Sequence, residues 1–317
     1  MSSRIVGVGI YRLLRNVLKF QAKLIRMTMS VQNEFQKHHG GPISNIPICV
    51  STGFEYTVWR QSWKTEVIRR LVNENGGVFI DVGANLGQTL LDLFSSHPSA
   101  RYVGFEPNVS CVFYLKEVIR VNSFGRCHVI PAGLSDKNGC LQLFRHKGHQ
   151  DDTCATIMPD LRPGRVYDVD IIPCIRFDDI YPGLNVEDVQ FVKIDVEGSE
   201  LETLLGMSRS LRAFRPIVLC EVLFTDSKAD LIAHKARNDR LLRFLGEMHY
   251  RVLQLIKSAD DTRVVDVSRV QDFASAFWTH ENKDLCDYLF VPSEKETAVL
   301  HALLPGATVT ELASQSP

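Results

Sequence analysis

Val78-Phe79-Ile80-Asp81-Val82-Gly83-Ala84-Asn85-Leu86-Gly87 is the stretch that decides the fold. Five strand-forming residues run into a glycine-punctuated turn, and Leu90, Leu91, Leu93 and Phe94 behind it supply the apolar face of a helix. Strand, tight loop and helix N-terminus in that order predict a doubly wound α/β sheet that cradles a nucleotide-like ligand. The spacing Gly83-x-x-x-Gly87, with Asp81 just before it, departs from GxGxxG. A pyrophosphate asks for glycine amides and an open helix terminus, and gains nothing from a carboxylate in the turn. A cofactor with a cationic amino group gains from one. Asp81, Gly83, Asn85 and Gly87 are therefore candidate cofactor-binding residues.

Outward from the turn, Ala100–Pro107 (ARYVGFEP) predicts a second strand ending in an acid, Glu106. An acid about 20 residues beyond the glycine turn can accept hydrogen bonds from ribose hydroxyls; the alternative is a surface acid at a strand end. S-adenosylmethionine, with its ammonium, sulfonium and ribose, suits both features. A helix is expected over 109–122 and a third strand over Cys127–Pro131, leading into Ala132–Gly139. The loop after the third strand lies beside the cofactor's base in such sheets, so Ser135 and Asp136 are candidates for an adenine amino group. A hairpin turn built on Asp136-Lys137-Asn138-Gly139 is the competing reading.

Val189–Glu200 (VQFVKIDVEGSE) predicts a strand ending at Asp195, which passes through Glu197-Gly198 into a helix starting near Ser199. Pro216–Val222 gives a fifth strand ending in Glu221. Asp81, Glu106, Asp195 and Glu221 thus recur at the ends of four expected strands, the edge where doubly wound folds place their chemistry. For Glu197 and Glu200 a structural role competes, because acids in a helix's first turn favour its dipole by ~0.3–1 kcal/mol.

Together these residues resemble the FkbM-type methyltransferases, a family that uses S-adenosylmethionine. The matching segments are Phe79–Gly87, Val103–Pro107, Ala132–Gly139, Arg176–Ile180 (RFDDI), Val192–Gly206 (VKIDVEGSELETLLG) and Cys286–Pro292 (CDYLFVP), within roughly 53–293. The resemblance implies a seven-stranded class I (Rossmann-like) methyltransferase sheet, parallel except for one strand near the C-terminus. It also implies O-methylation of a hydroxyl on a small molecule or sugar. Two departures stand out. Gly133 replaces a commonly apolar residue, and Leu223–Gly246, where an acceptor pocket would be shaped, matches no pattern.

A hydroxyl is a poor nucleophile until its proton is removed or its oxygen sits on a metal. Asp195 or Glu197 can act as general base; alternatively Asp195 and Glu221 hold Mg²⁺, which lowers the hydroxyl pKa. Glu221 is thereby a third candidate catalytic residue. The long stretch Phe144–Pro173 is expected to form a lid-like loop with extra strands over a substrate, or a plain surface hairpin. Within it, His149 is an alternative base.

With 45% hydrophobic and 23% charged residues and a formal net charge of −1, the chain has an ordinary globular composition and no electrostatic bias toward nucleic acid. Eight scattered cysteines without a CxxC pair fit reduced thiols and a cytoplasmic protein. Residues 1–33 carry Arg4, Arg12, Arg15, Lys19, Lys23 and Arg26 and no acid, a basic amphipathic helix. Such a helix suits a mitochondrial transit peptide, peripheral membrane contact through residues 4–27, or packing on the main domain. Residues 34–52 read as a linker, 53–304 as the methyltransferase domain and 305–317 as a frayed tail. Two competing functions follow: methylation of protein or lipid at a membrane, and an inactive scaffold that keeps the cofactor fold.

Overall fold

The structure, a computed structural model, describes residues 62–148, 152, 154–158, 166–225, 231–273, 277, 279, 282 and 284–304. The expected N-terminal helix, the linker, the tail and His149 lie outside the described residues.

In chain order the elements are α1 (Ser62–Leu71), β1 (Val78–Val82), α2 (Gln88–Ser96), β2 (Tyr102–Phe105), α3 (Val109–Val121), β3 (Cys127–Ile130), β4 (Gly133–Leu134), β5 (Gly139–His146) and β6 (Tyr167–Ile175). They continue with α4 (Phe177–Ile180), β7 (Val189–Ile194), α5 (Glu200–Gly206), α6 (Ser208–Phe214), β8 (Ile217–Glu221), α7 (Leu231–Glu247), β9 (Tyr250–Lys257), β10 (Val264–Arg269), β11 (Asp287–Pro292) and α8 (Glu296–Leu303). Of the described residues, 62–115 and 125–304 form one compact unit, which holds the sheet. Residues 116–124 fall in a second, within which Arg120 pairs with Glu117 at 2.6 Å.

The main sheet has eight strands in the order β10-β9-β11-β8-β7-β1-β2-β3. Strands β3, β2, β1, β7 and β8 are mutually parallel. The expected α/β, mostly parallel architecture is present, but the expected seven strands with one reversal are not. β11 is antiparallel to both β8 and β9, and β10 adds an eighth strand antiparallel to β9. The sequence Val264–Arg269 hides this strand because it lies at an edge, where only Val267 is buried and no continuous apolar run is required.

Central strands carry the core on both faces, which is why β1 and β7 read as near-continuous apolar runs. On one face Phe79 stacks on Phe191 at 5.1 Å and on Tyr102 at 6.3 Å. Each such buried ring contributes about 1.5–3 kcal/mol through the area it removes from water. On the other face Ile80, Val82, Val192, Ile194 and Val218 join Leu201, Leu204 and Leu211 from α5 and α6. Both faces bury apolar side chains, so the sheet can place polar groups only at its strand ends or in compensated pairs.

A second sheet, β4-β6-β5, is built from the segment between β3 and α4. β5 and β6 form an antiparallel hairpin whose inner face buries Leu143, Ile172 and Cys174. The seven described cysteines are free thiols. Among the described residues, no helix is long and apolar enough to cross a membrane.

Candidate active site

The sheet order reverses at β1, with β2 and β3 on one side and β7 and β8 on the other. Such a switch point opens a crevice beyond the carboxyl ends of the strands. A cavity of about 290 Å³ occupies that place, and Gly83, Asn85, Glu106, Asp195, Glu197 and Glu221 all line it. Its far wall comes from the inserted hairpin, through Leu143, Ile172, Cys174 and Cys154.

The turn after β1 is held by backbone. The amides of Gly83 and Ala84 both donate to the Phe105 carbonyl at 3.0 Å. Gly83 adopts a left-handed φ of 75°, and the Asp195 carbonyl sits where a β-carbon would project. Asn85 is also left-handed, which turns its amide toward Glu106 Oε2 at 2.8 Å. Glu106 Oε1 accepts the Asn108 amide at 2.8 Å. Burial raises the Glu106 pKa to about 7 despite those two amide donors. No lysine or arginine among the described residues lies within ion-pair distance of it. A carboxylate so placed, on the cavity wall and short of donors, fits paired hydroxyls such as those of a ribose.

Asp81 takes a different position from the one its sequence context predicts. Its side chain is fully buried inside the sheet and is not on the cavity wall. Oδ2 accepts the Tyr102 hydroxyl at 2.7 Å, and Oδ1 lies 3.4 Å from Lys193 Nζ. Tyr102 reaches across because the residue opposite Asp81 is Gly104, whose absent β-carbon leaves the hydroxyl its space. Lys193 pairs with Asp81 across β1 and β7 and also donates to the Gly83 carbonyl at 2.8 Å. Asp81 thus acts on the turn through Lys193. Gly87 precedes α2 and lies against Leu115, away from the cavity.

Lys193 Nζ is also 3.4 Å from Asp195 Oδ2. Burial disfavours charge on both groups. Yet Asp195 and Asp81 carry the lysine pKa above its usual value, and Lys193 and Lys64 hold Asp195 below the usual carboxylate range. Glu221 follows Cys220, the register partner of Ile194, so it lies beside Asp195 at the end of the adjacent β8. Burial, and then the Asp195 charge, push the Glu221 pKa well above the ordinary value. Of these two neighbouring carboxyl groups, Glu221 is the one that burial and the adjacent charge bias toward its protonated form. The Cys286 thiol donates to Glu221 Oε1 at 3.2 Å.

Glu197 and Gly198 are both left-handed, with φ of 53° and 103°. Three groups clamp this turn. Thr156 from the inserted hairpin donates to the Glu197 carbonyl at 2.6 Å, and Arg237 of α7 donates to the Gly198 carbonyl at 2.8 Å. The Gly198 amide donates to Glu200 Oε1 at 2.8 Å. Glu200 is itself buried, with its pKa raised to about 7 by burial.

Two expectations are corrected. Ser135 is 3% exposed, its hydroxyl turned to Asp136 Oδ1 at 3.3 Å, and neither residue lines the cavity. Gly206 of α5 packs directly on the Ser135 carbonyl, so the wall here is Gly133 and Leu134. The turn reading fits Asp136–Asn138 better, because Asn138 accepts the Arg176 amide and donates to Asp179, which ties the loop down. Nor do Asp195 and Glu221 fit Mg²⁺. The Lys193 ammonium 3.4 Å away already neutralises Asp195, and among the described residues no group of three His, Cys, Asp or Glu could hold a metal ion.

Lys193, Lys64, Thr156 and Arg237 are site residues that motif reading missed. Only Lys193 left a signal, as a charged residue inside an apolar central strand.

The sequence model of the Methyltransferase FkbM domain matches residues 81–262. The chain is also similar to the methyltransferase FkbM from Methylobacillus flagellatus KT, at 17% identity over 88% of this chain and 60% of that one, with a TM-score of 0.40. It spans only that 60% of the Methylobacillus chain. A Streptococcus mutans protein in complex with SAH is similar at 9% identity over 71% of this chain and 92% of that one, TM-score 0.37. A SAM dependent methyltransferase from Aquifex aeolicus is similar at 12% identity over 63% of this chain and 86% of that one, TM-score 0.36. No curated protein matches the chain.

Proposed function

The chain belongs to the FkbM methyltransferase family, and from that premise we propose that it methylates a hydroxyl group of a small molecule or sugar, with Asp195 as the general base. The observation that carries this reading is the pair of neighbouring carboxyl groups, Asp195 and Glu221, on the cavity wall, with the Lys193 ammonium 3.4 Å from Asp195.

S-adenosylmethionine, when bound, supplies an electrophilic methyl group on a cationic sulfur. In this reading Glu106 holds its ribose hydroxyls, and the Gly83–Asn85 turn holds the part nearest β1. Asp195 stays ionised between Lys193 and Lys64, so it can take the proton that the acceptor hydroxyl must lose. Glu221, biased toward its protonated form by burial and the Asp195 charge, limits negative charge beside the acceptor oxygen. Leu143, Ile172 and Cys174 of the hairpin exclude water from one side of the cavity, which strengthens both interactions. Holding the acceptor oxygen in line is expected to supply most of the rate.

The test is incubation of the full chain with methyl-labelled S-adenosylmethionine and a panel of polyhydroxylated acceptors, followed by mass analysis. Label on an acceptor oxygen supports the proposal. Label on protein or lipid instead, or none with any acceptor although the cofactor binds, overturns it.

A further inference from the structure

Lys193 is 5% exposed in the middle of the sheet, a place where an ammonium is tolerated only if it is fully compensated. Its three partners belong to different parts of the site. The Gly83 carbonyl is in the cofactor turn, Asp81 is inside β1, and Asp195 is on the cavity wall. One side chain therefore touches the backbone that shapes one half of the cavity and the carboxylate that faces the other.

We propose that Lys193 is a positioning residue that fixes the cofactor turn through the Gly83 carbonyl and selects Asp195, not Glu221, as the ionised acid. The second half of this inference rests on the reading of Asp195 as general base. The groups that face the ammonium, its partners or Glu221 are Asp81 on β1, Tyr102 on β2, Glu106 beyond β2, Asp195 and Glu197 beyond β7, Glu221 on β8, Cys286 just before β11, Asp287 at its start and Lys64 on α1. Carboxyl groups predominate among them, and Lys64 acts on Asp195 from the cavity side. Without Lys193, Asp81 has only the Tyr102 hydroxyl in the sheet interior, and the Asp195–Glu221 pair keeps Lys64 on Asp195 and the Cys286 thiol on Glu221. Both sites then favour protonation, and the turn loses the donor at Gly83.

The experiment compares the full-length wild type with Lys193→Met, Lys193→Arg and Lys193→Met/Asp81→Asn from pH 5.5 to 8.5. Thermal melting and calorimetric titration with S-adenosylmethionine are the readouts. For Lys193→Met the melting deficit should be largest at pH 8.5 and at least halved at pH 5.5, as the orphaned acids take up protons. Its cofactor affinity should fall at least ten-fold across the range, because the Gly83 carbonyl loses its donor at every pH. Lys193→Arg should recover most of that affinity. A melting deficit that is independent of pH, or an unchanged cofactor affinity, would reduce Lys193 to a space-filling role and overturn the proposal.

If Lys193→Met does not fold, the double variant decides. Removing the Asp81 charge as well should restore melting to near wild type but leave cofactor binding weak. Melting that stays depressed at all pH values would contradict the proposal. Failure of the wild type to bind S-adenosylmethionine would count against the cofactor reading alone, and the pH dependence of melting would still decide the role of Lys193.

Discussion

The carbonyl oxygen of Asp195 lies 1.9 Å from the point that a β-carbon on Gly83 would occupy. The turn after β1 and the turn after β7 therefore meet through a contact that only glycine permits, and the two halves of the site are held in register by it. Gly83→Ala would have to move one turn, on top of ~1–2 kcal/mol for a left-handed alanine. A loss of at least ~2 kcal/mol and of S-adenosylmethionine binding is expected in melting and calorimetry. Gly125→Ala, where nothing lies within 4 Å of the added carbon, serves as the control.

Glu106 is expected to trade stability for binding. Its pKa is raised in the folded chain, from 4.5 to about 7, so its neutral form is the one the fold favours. The stability this contributes is fully present below the unfolded value near 4.5 and is lost as pH rises through about 7. The difference corresponds to ~3 kcal/mol. Glu106→Gln should therefore melt higher than the wild type at pH 8 and about the same at pH 4.5. Glu200 is raised to the same region, so a residual slope of the same sign should remain until Glu200→Gln is added.

Asp178, in the RFDDI segment, works at a distance from the cavity. It is 2% exposed and accepts the Arg209 amide at 2.7 Å, the Ser210 amide at 2.9 Å and the Ser210 hydroxyl at 2.6 Å. It caps α6 from a separate part of the chain. Asp178→Ala leaves buried donors unpaired and removes a helix cap, a loss of ~2–4 kcal/mol in denaturant unfolding. Asp178→Asn, which keeps one acceptor, should lose less.

Asp195→Asn and Glu221→Gln should separate in kinetics. Removing the ionised member should lower kcat by ~10²–10⁴ with any accepted hydroxyl. Removing the protonated member leaves the carboxylate in place, so Glu221→Gln should retain far more activity. Equal losses in the two variants would mean that the proton is not placed as described.

How much of this was legible in the sequence depends on whether the cause was local. The β1 turn, the Glu106 strand end and the helix at Val109–Val121 follow from patterns within a few residues, and they are where expected. Glu106, Asp195 and Glu221 do gather at one edge of the sheet, because strand ends fix that edge whatever the side chains do. What escaped is set by long-range contact. Asp81 turns inward because Gly104 and Lys193, distant in sequence, make room and charge for it. Ser135 is sealed by Gly206 on another helix. β10 has an edge strand's sequence and so no apolar signature. Arg237 sits in the segment that matched no pattern and still reaches the turn after Asp195.

The central claim is that the crevice at β1 and β7 binds S-adenosylmethionine through Glu106. Calorimetric titration of the cofactor into the full chain and into Glu106→Ala at pH 8 tests it most directly. Saturable binding with one site, weakened ~10–100-fold by the substitution, is the predicted result, since hydrogen bonds to a charged acceptor are each worth ~1.5–3 kcal/mol. No binding by folded wild-type protein, or equal binding by the variant, would contradict the account.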